Sequence, residues 1–371
     1  MVGVTQLQRS NGGVCTHVIS LCEGLLQKGH KVVLIADEKD NNYTSEILAL
    51  EQKGLKFYSL PFMKAQADKK ELIKITYHML SLAKKEEIDV LHSHGQMICI
   101  IGIIMRFLYG IPFVWTNHID EVAQPKIFKI ILHSYKFPII SVSTDLKKYL
   151  IGQFHVQESR IDVINNGINI CNFGKLQTNE REKLKESIGI TDEYVVSLLA
   201  RITFGKGHSY LLEAVNIVQK KHPEIRIKVL FAGELYDGHK SYLQEQLTFA
   251  EKHGIDLAYL GFQSPRDIFG ISDISVLPSI YEGFGMTCIE SLAMGCPVIR
   301  SDTPGWSDMK DILTVVPKAN IEALADSLEY AIMNRHKMCE KAKIGKSYVA
   351  QKFSAEHMVD ETIFLYKKIL C

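Results

Sequence analysis

Residues 274–300 read ISVLPSIYEGFGMTCIESLAMGCPVIR. An apolar run ends at Pro278, a loop with two glycines follows, and a helical pattern opens near Gly285. A second apolar run begins at Pro297. Strands that are apolar throughout are typical of a parallel sheet covered by helices on both faces. The stretch therefore predicts a strand, a helix and a parallel strand of a doubly wound sheet.

The same alternation of short apolar runs and helical periods extends along nearly the whole chain. It breaks once, at 171–192, where the sequence is polar and has no strand pattern. We place the boundary just after the turn pair Asn166-Gly167. The sequence thus predicts an α/β protein with two Rossmann-like, doubly wound domains, at 1–170 and 171–353, followed by an amphipathic helix at 354–371. The predicted strands are 2–7, 31–36, 55–60, 90–93, 112–117, 138–142, 162–165, 194–199, 226–232, 257–260, 274–277 and 297–300.

The composition excludes several classes of protein. The chain has 371 residues, 46% of them hydrophobic and 23% charged, which excludes a disordered or collagen-like chain. Its formal charge of +1 gives no electrostatic reason to expect a nucleic-acid partner. Its eight cysteines include no Cys-x-x-Cys pair, so we expect reduced thiols. With neither a signal peptide nor an unbroken run of about 20 apolar residues, we expect a cytoplasmic protein.

Two glycine-containing loops could bind phosphate. Gly12 and Gly13 come directly after the first predicted strand and before a helix, where backbone amides can approach a phosphate. A simple tight turn explains this pair equally well. Arg201 and Lys206 lie on the loop after the predicted strand 194–199, and two cations there can converge on a diphosphate. The alternative is a pair of solvated surface cations.

Three further side chains could contact a ligand. Glu282 precedes the helix that opens near Gly285 and could face a sugar ring, or it could simply interact with the helix dipole. Glu290 lies within that helix among apolar neighbours and could accept hydrogen bonds from ribose, the alternative being an exposed charge. His118 ends an apolar strand and could contact a substrate hydroxyl or transfer a proton, although a lone histidine is more often structural.

The sequence predicts no metal site. Nowhere do two aspartates lie two residues apart, so an Asp-x-Asp site for a divalent metal is absent from the sequence. His92-Ser-His94 has the spacing of a ligand pair, but no nearby cysteine or acidic cluster accompanies it.

Taken in order, these motifs resemble the retaining glycosyltransferases of family 4, which have the GT-B fold and include enzymes of bacterial surface-polysaccharide assembly. The resemblance covers nearly the full chain and is most specific at the pair Glu282-x7-Glu290. The other matching motifs are Gly12-Gly13, Lys28-Gly29-His30, Asp89 to His94, Thr116-x-His118, Ile164 to Gly167, Arg201 to Gly207 and Gly295-Cys-Pro297-Val298. Two positions depart from the family pattern, namely Gly205 before the lysine and Pro304 to Asp308 in place of Gly-Gly-x-x-Glu.

The resemblance implies a role for each candidate residue. Arg201 and Lys206 would neutralise the diphosphate of a nucleotide-sugar donor, and Glu290 would hold its ribose. His118 would contact the donor sugar near the reacting carbon, and the final helix would cross back onto the first domain. The transferred sugar and the phosphates would be bound by Glu282, Gly283, Phe284, Gly285, Met286 and Thr287. The base would lie beside Gly233, Phe262 and Gln263.

The implied activity is transfer of a sugar, with retained configuration and without a metal or other cofactor, to a saccharide or lipid-linked acceptor. A UDP-sugar is the favoured donor, and polysaccharide or lipopolysaccharide biosynthesis the favoured role. Two rivals remain, namely a nucleotide-sugar epimerase or hydrolase with the same fold and a non-catalytic nucleotide-sugar-binding subunit.

Peripheral contact with an anionic membrane is a further expectation. Residues 125–137, and Phe62-Met63-Lys64 with Lys69-Lys70, mix cations with large apolar side chains, which favours such contact at the inner face of the cell membrane. A buried helix with a solvated edge is an equal alternative.

Overall fold

The computed structural model describes residues 2–3, 12–36, 44–60, 69–119 and 125–371. The chain divides into two compact units, Met1–Ile168 with Ala355–Cys371, and Asn169–Ser354. The boundary predicted after residue 170 lies two residues beyond the one in the structure.

Each unit contains a parallel sheet. The first has seven strands in the order β3-β2-β1-β4-β5-β6-β7, and the second has six in the order β10-β9-β8-β11-β12-β13. In such sheets ligands bind beyond the carboxyl ends of the strands, where the strand order reverses. That point lies between β1 and β4 in the first unit and between β8 and β11 in the second. The strands are β1 Val2–Gly3, β2 Val33–Ala36, β3 Lys56–Ser59, β4 Leu91–Ser93, β5 Phe113–Asn117, β6 Ile139–Ser141, β7 Ile161–Val163, β8 Tyr194–Leu199, β9 Ile227–Ala232, β10 Asp256–Tyr259, β11 Ile274–Leu277, β12 Val298–Ser301 and β13 Thr314–Val316.

Helices connect the strands. They are α1 Gly13–Gln27, α2 Thr44–Gln52, α3 Lys69–Lys85, α4 Gln96–Tyr109, α5 Pro125–Ser134, α6 Thr144–Phe154, α7 Thr178–Ser187, α8 His208–Lys221, α9 Lys240–His253, α10 Pro265–Ile271, α11 Met286–Met294, α12 Ile321–Met333, α13 Arg335–Lys352 and α14 Ala355–Leu370. Among the residues described here, no helix is both long enough and apolar enough to cross a membrane.

Successive residues of the central strands enter different apolar cores, which explains why these strands are apolar throughout. In the first unit Leu34 packs in the core that includes α1 and α14, whereas its neighbours Val33 and Ile35 pack in the core that includes α3 and α4. Two cores therefore cover the two faces of the sheet, as a doubly wound parallel sheet requires.

Strand β13 and helix α7 are among the elements that the sequence pattern did not indicate. Strand β13 pairs with β12 over three residues only, too short a run to show a strand period. Helix α7 lies in the polar stretch 171–192 and has no buried residue of its own. Each of the twelve predicted strands has a counterpart, with 2–7 described only at Val2–Gly3.

The last helix belongs to the first unit. Helix α14 packs on α1, where a Cβ on Gly24 would lie 2.4 Å from Cγ2 of Val359, so only glycine allows this approach. Lys28 at the end of α1 binds Asp360 of α14 at 2.7 Å. The backbone N–H of Ala355 donates to the carbonyl of Ile168 at 2.8 Å. This bond joins the start of α14 to the last residue of the first segment of the same unit.

Candidate active site

Two loops of the second unit meet where the strand order reverses. One follows β8 and contains Arg201 and Lys206, and the other follows β11 and contains Glu282. Gly207 has φ +77°, and a Cβ there would lie 2.1 Å from the carbonyl oxygen of Pro278. The N–H of Ile280 donates to the carbonyl of Gly205 at 2.9 Å. A residue other than glycine at 207 would therefore force the loops apart.

Lys206 and Glu282 form an ion pair across these two loops. The hydroxyl of Ser279 donates to the same Glu282 oxygen at 3.3 Å. Burial alone would raise the pKa of the Glu282 carboxyl, but the Lys206 ammonium, and after it Arg300 and Ser279, hold that pKa below its ordinary value. Glu282 is therefore an anion at neutral pH, and its ion pair holds Lys206 in place between the loops after β8 and β11.

Arg300 organises the same loops, and the sequence analysis did not identify it. It lies in β12, is fully buried, and donates to backbone carbonyls. Its guanidinium donates to the carbonyls of Phe284 at 2.8 Å and Pro304 at 3.0 Å, and also to Ser301 and Thr303. A Cβ on Gly305 would lie 2.3 Å from the Phe284 carbonyl. Arg300 thus fixes the glycine loop that opens helix α11.

Glu290 lies within helix α11, five residues after the N-cap Gly285. The residue is only 9% exposed, and burial raises the pKa of its carboxyl to about 7. Its neighbours Ile289 and Ser291 are buried as well. The interpretation of Glu290 as a solvated helix charge is therefore wrong, and a carboxyl that titrates near neutrality inside a loop-and-helix site is a candidate ligand contact.

The glycines and amides of the predicted donor site lie around these groups. Gly283, Phe284 and Gly285 form the loop before α11, and Met286 and Thr287 begin that helix. Gly285 has φ +92°, and a Cβ there would lie 2.9 Å from Nη1 of Arg300. Because the first turn of a helix leaves N–H groups unpaired, these residues present donors to an anion.

Gly233 joins the loops after β9 and β10 to the loop after β8. A Cβ at this position would lie 1.9 Å from the carbonyl oxygen of Ala200, so the chain requires glycine here. Its N–H donates to the carbonyl of Gly261 at 2.7 Å. Phe262 is 60% exposed, and the side-chain amide of Gln263 donates to the carbonyl of Leu260 at 2.7 Å. Arg201 lies half-buried on the same loop, directly after Ala200.

The predicted site residues of the first unit lie at the reversal point of its own sheet. Gly12 has φ +41° and caps α1, which begins at Gly13. His118 directly follows β5, and His94 directly follows the neighbouring β4. His94 Nδ1 lies 3.0 Å from His118 Nε2, and the ring of His17 on α1 lies 4.8 Å from that of His118.

These histidines are neutral. Burial lowers the pKa of His17 to about 4, an effect that the adjacent Asn166 side chain offsets only in part. Burial also holds the pKa of His94 and His118 well below the ordinary value. His92, packed against His94 at 4.2 Å between ring centres, contacts the hydroxyls of Tyr366 at 2.5 Å and Thr116 at 2.6 Å.

The structure thus groups His118 with three histidines that the sequence analysis did not assign to the donor. His17 gave no sequence signal beyond its place one turn into α1. The sequence shows no cysteine or acidic cluster near the His92-Ser-His94 pair, whereas the structure places His17 and His118 beside His94. Arg300 had a usable signal, because a cation inside an otherwise apolar strand is rarely buried without polar partners.

Comparison with known proteins agrees with this architecture. Residues 11–171 match the family model described as Glycosyltransferase Family 4, and residues 180–346 match that of Glycosyl transferases group 1. An uncharacterised glycosyltransferase of Methanocaldococcus jannaschii is 26% identical over 96% of this chain and 94% of its own length. A D-inositol 3-phosphate glycosyltransferase of Rhodococcus erythropolis is 25% identical over 76% of this chain and 68% of its own length.

Solved structures share the fold. A glycosyltransferase from Rickettsia africae superposes with a TM-score of 0.86 at 21% identity, covering 100% of this chain and 98% of that one. The Anabaena protein HepE, crystallised with UDP and glucose, gives a TM-score of 0.81 at 17% identity and covers 99% of this chain and 98% of its own. With family models that match both halves and a GT-B fold across its length, the chain belongs to the family 4-like GT-B glycosyltransferases.

Proposed function

We propose that this glycosyltransferase is a retaining enzyme that moves a sugar from a UDP-linked donor to a saccharide or lipid-linked acceptor. The observation that carries the proposal is the Lys206–Glu282 ion pair, formed between two loops at the reversal point of the second sheet. It holds an ammonium beside the N-terminus of α11, where a diphosphate is favoured.

Positive charge from the protein would stabilise the leaving group without a metal. An ammonium has three N–H donors, so Lys206 can keep its contact with Glu282 and still donate to a phosphate oxygen. Arg201, on the same loop, would add a bidentate contact. Fixed donors aimed at the charge that develops in the transition state are worth about 3–4 kcal/mol each. We therefore propose that EDTA leaves transfer intact, and a metal requirement would contradict this mechanism.

The reaction would proceed on one face of the sugar. The bond between the anomeric carbon and the phosphate oxygen breaks as the acceptor oxygen forms its bond to the same carbon. The acceptor proton passes to the departing phosphate oxygen, which becomes part of the nucleoside diphosphate. We assign His118 to the donor sugar near the reacting carbon and Glu290 to the ribose hydroxyls, as the resemblance to family 4 implies.

The preference for UDP is supported by neighbours in fold. HepE was crystallised with UDP and with UDP-glucose, and a Staphylococcus aureus TarM structure also contains UDP. In this chain Gly233 and Gly261 bring backbone close together where the base is expected, and Phe262 exposes a ring beside them. Backbone groups can read either uracil or guanine, so GDP is the competing nucleotide.

A thermal-shift panel of UDP, GDP, ADP and their sugars would test the donor assignment. A ligand that binds only the folded state raises the unfolding temperature. We expect UDP and UDP-sugars to raise it most, and a larger shift with GDP would overturn the base assignment.

Incubating the best UDP-sugar without an acceptor separates a transferase from the alternative activities. An epimerase or hydrolase converts the sugar without an acceptor, whereas a transferase needs the acceptor. A binding-only subunit would leave the donor unchanged with every acceptor.

A lipid-linked acceptor in surface-polysaccharide assembly is supported by the exposed face of the first unit. Phe107 is 84% exposed at the end of α4, and Ile130 on α5 is 64% exposed. Lys126 and Lys136 are exposed on either side of Ile130 in the sequence, while Phe128 and Leu132 of α5 are buried. The other predicted membrane stretch, 62–64, lies outside the described residues. A neighbour in fold, WaaG, acts in lipopolysaccharide biosynthesis.

Vesicle sedimentation would test this contact. We expect the protein to pellet with anionic vesicles at low salt and to detach at high salt, because surface charges are screened over about 10 Å at 0.1 M salt. The variant Phe107→Ser should pellet less. Equal pelleting with uncharged vesicles would contradict a contact driven by charge.

A further inference from the structure

Three buried imidazoles of the first unit have more nitrogen atoms than hydrogen-bond partners. We call His17, His94 and His118 the histidine cluster. Neither nitrogen of His17 has a partner among the described residues, and nor does Nε2 of His94. Leaving a buried polar atom unpaired destabilises the folded state. The cluster therefore keeps several unpaired atoms at a cost, which a ligand binding there would remove.

The spacing of the cluster suits one metal ion. One nitrogen from each histidine lies within 4.8 Å of the other two. Tetrahedral zinc with bonds of about 2.0–2.1 Å sets its nitrogen ligands roughly 3.3–3.4 Å apart. His94 Nδ1 and His118 Nε2 are already 3.0 Å apart. The remaining approach falls to His17, which lies beside the side chain of Asn166.

We propose that His17, His94 and His118 form a binding site for a divalent transition-metal ion, with Zn²⁺ as the preferred occupant. Neutral imidazoles are common ligands of zinc, and three protein ligands with an open fourth position are the usual arrangement of an accessible zinc site. The site lies beyond the carboxyl ends of β4 and β5, beside the point where the strand order of the first sheet reverses.

Neighbouring side chains complete the arrangement. A metal-bound histidine usually donates its second N–H to a carbonyl or carboxylate. The side-chain oxygen of Asn166 is buried, has no partner among the described residues and lies beside His17. His92 is not a ligand, because its two nitrogens already contact Tyr366 and Thr116. Its ring lies against His94 and limits the rotation of that side chain.

Occupancy of this site would block transfer, a consequence that rests on the proposed function. We assign His118 to the donor sugar, so a metal bound to His118 would remove that contact. We therefore expect Zn²⁺ to inhibit transfer and EDTA to restore the activity. A catalytic metal would have the opposite effect, because its removal would abolish transfer.

The test measures metal binding by tag-free protein without any assay of transfer. Equilibrium dialysis with Zn²⁺ should give one ion per chain, and Co²⁺ should give the visible spectrum of tetrahedral nitrogen ligation. His17→Gln and, separately, His94→Gln should weaken Zn²⁺ binding about tenfold or more, in line with the loss of ligand support. The control His336→Gln removes an exposed histidine and should bind as the wild type does. His208→Gln, at a buried histidine of the second unit, should also bind normally.

Three results would overturn the proposal. They are no binding at micromolar Zn²⁺, unchanged binding by whichever of His17→Gln and His94→Gln folds, and a cobalt spectrum with thiolate bands. The last would place the ion on the exposed cysteines, Cys171, Cys339 or Cys371. Zinc that binds the histidine cluster but leaves transfer unaffected would uphold the site and contradict only the role of His118.

Discussion

At the scale of single residues, the proposed transfer depends on charged side chains that burial and ion pairing hold in place. Lys206 is held by Glu282, and a fixed ammonium needs no rearrangement when the leaving group becomes negative. Lys206→Ala or Arg201→Ala should lower kcat about 10²-fold or more, the loss typical of one stabilising donor. Steady-state kinetics with the identified donor measure this. Lys240→Ala is the control, because Lys240 is an exposed lysine whose ion-pair partner is Asp237. Near-normal turnover of Lys206→Ala would remove it from the mechanism.

Glu290 predicts a pH dependence of donor binding. Burial raises the pKa of its carboxyl to about 7, so the carboxylate that we assign to the ribose hydroxyls is lost as the pH falls below 7. The dissociation constant of the donor should rise about fivefold between pH 7 and pH 6, and about tenfold for each further pH unit, because the charged fraction falls in that proportion. Calorimetric titration at several pH values measures this. Glu290→Gln should bind with little change over the range, and an unchanged slope in that variant would assign the titration to another group.

The same carboxyl affects folding in the opposite sense. Its pKa is raised above that of the unfolded chain, so the folded state binds more protons between about pH 4.5 and 7. The contribution of Glu290 to stability is therefore greatest in acid and falls as the pH rises through 7. Stability and donor binding respond to this group with opposite signs.

At the scale of elements, Arg300 of β12 couples the loop before α11 to the loop after β12. Arg300→Met should lower the free energy of unfolding by about 3 kcal/mol or more, because the carbonyls of Phe284, Thr303 and Pro304 lose their donor. Urea denaturation measures the change, and Lys240→Met, at an exposed lysine whose ion-pair partner is the exposed Asp237, is the control. Donor affinity should fall too, since the amides of 284–287 lose their support. Stability equal to that of the wild type would show that these loops hold themselves in place.

Much of the element structure could be predicted from sequence, because parallel strands buried on both faces leave continuous apolar runs. Strand β13 could not be, since three residues cannot show a period. The roles of Arg300 and the histidine cluster could not be predicted from the sequence for another reason. Their partners are carbonyls and rings contributed by separate elements, and only the folded chain brings them together. The pairing of Lys206 with Glu282 likewise depends on the close approach of Gly207 and Pro278.

At the scale of the whole molecule, the last helix of the chain is part of the first unit. Helix α14 covers the core that includes Val18 and Leu21 through Met358, Val359 and Ile363. Ending the chain after Ser354 should therefore lower the unfolding temperature of the first unit and leave that of the second nearly unchanged. Differential scanning calorimetry of the truncated chain would show two transitions, with the first unit unfolding at the lower temperature. The variant Phe364→Ser, at a residue 72% exposed on the same helix, is the control. An unaltered first transition would mean that α14 is dispensable for that unit.

The central claim is that the loops after β8 and β11 bind the diphosphate of a nucleotide donor. Its most direct test is calorimetric titration of UDP into the wild type, Lys206→Met and Lys240→Met under one set of conditions. The account predicts tight binding by the wild type and by Lys240→Met, and binding at least about tenfold weaker by Lys206→Met, the loss expected when a charge-assisted hydrogen bond of about 1.5–3 kcal/mol is removed. Equal affinity of all three proteins would contradict it.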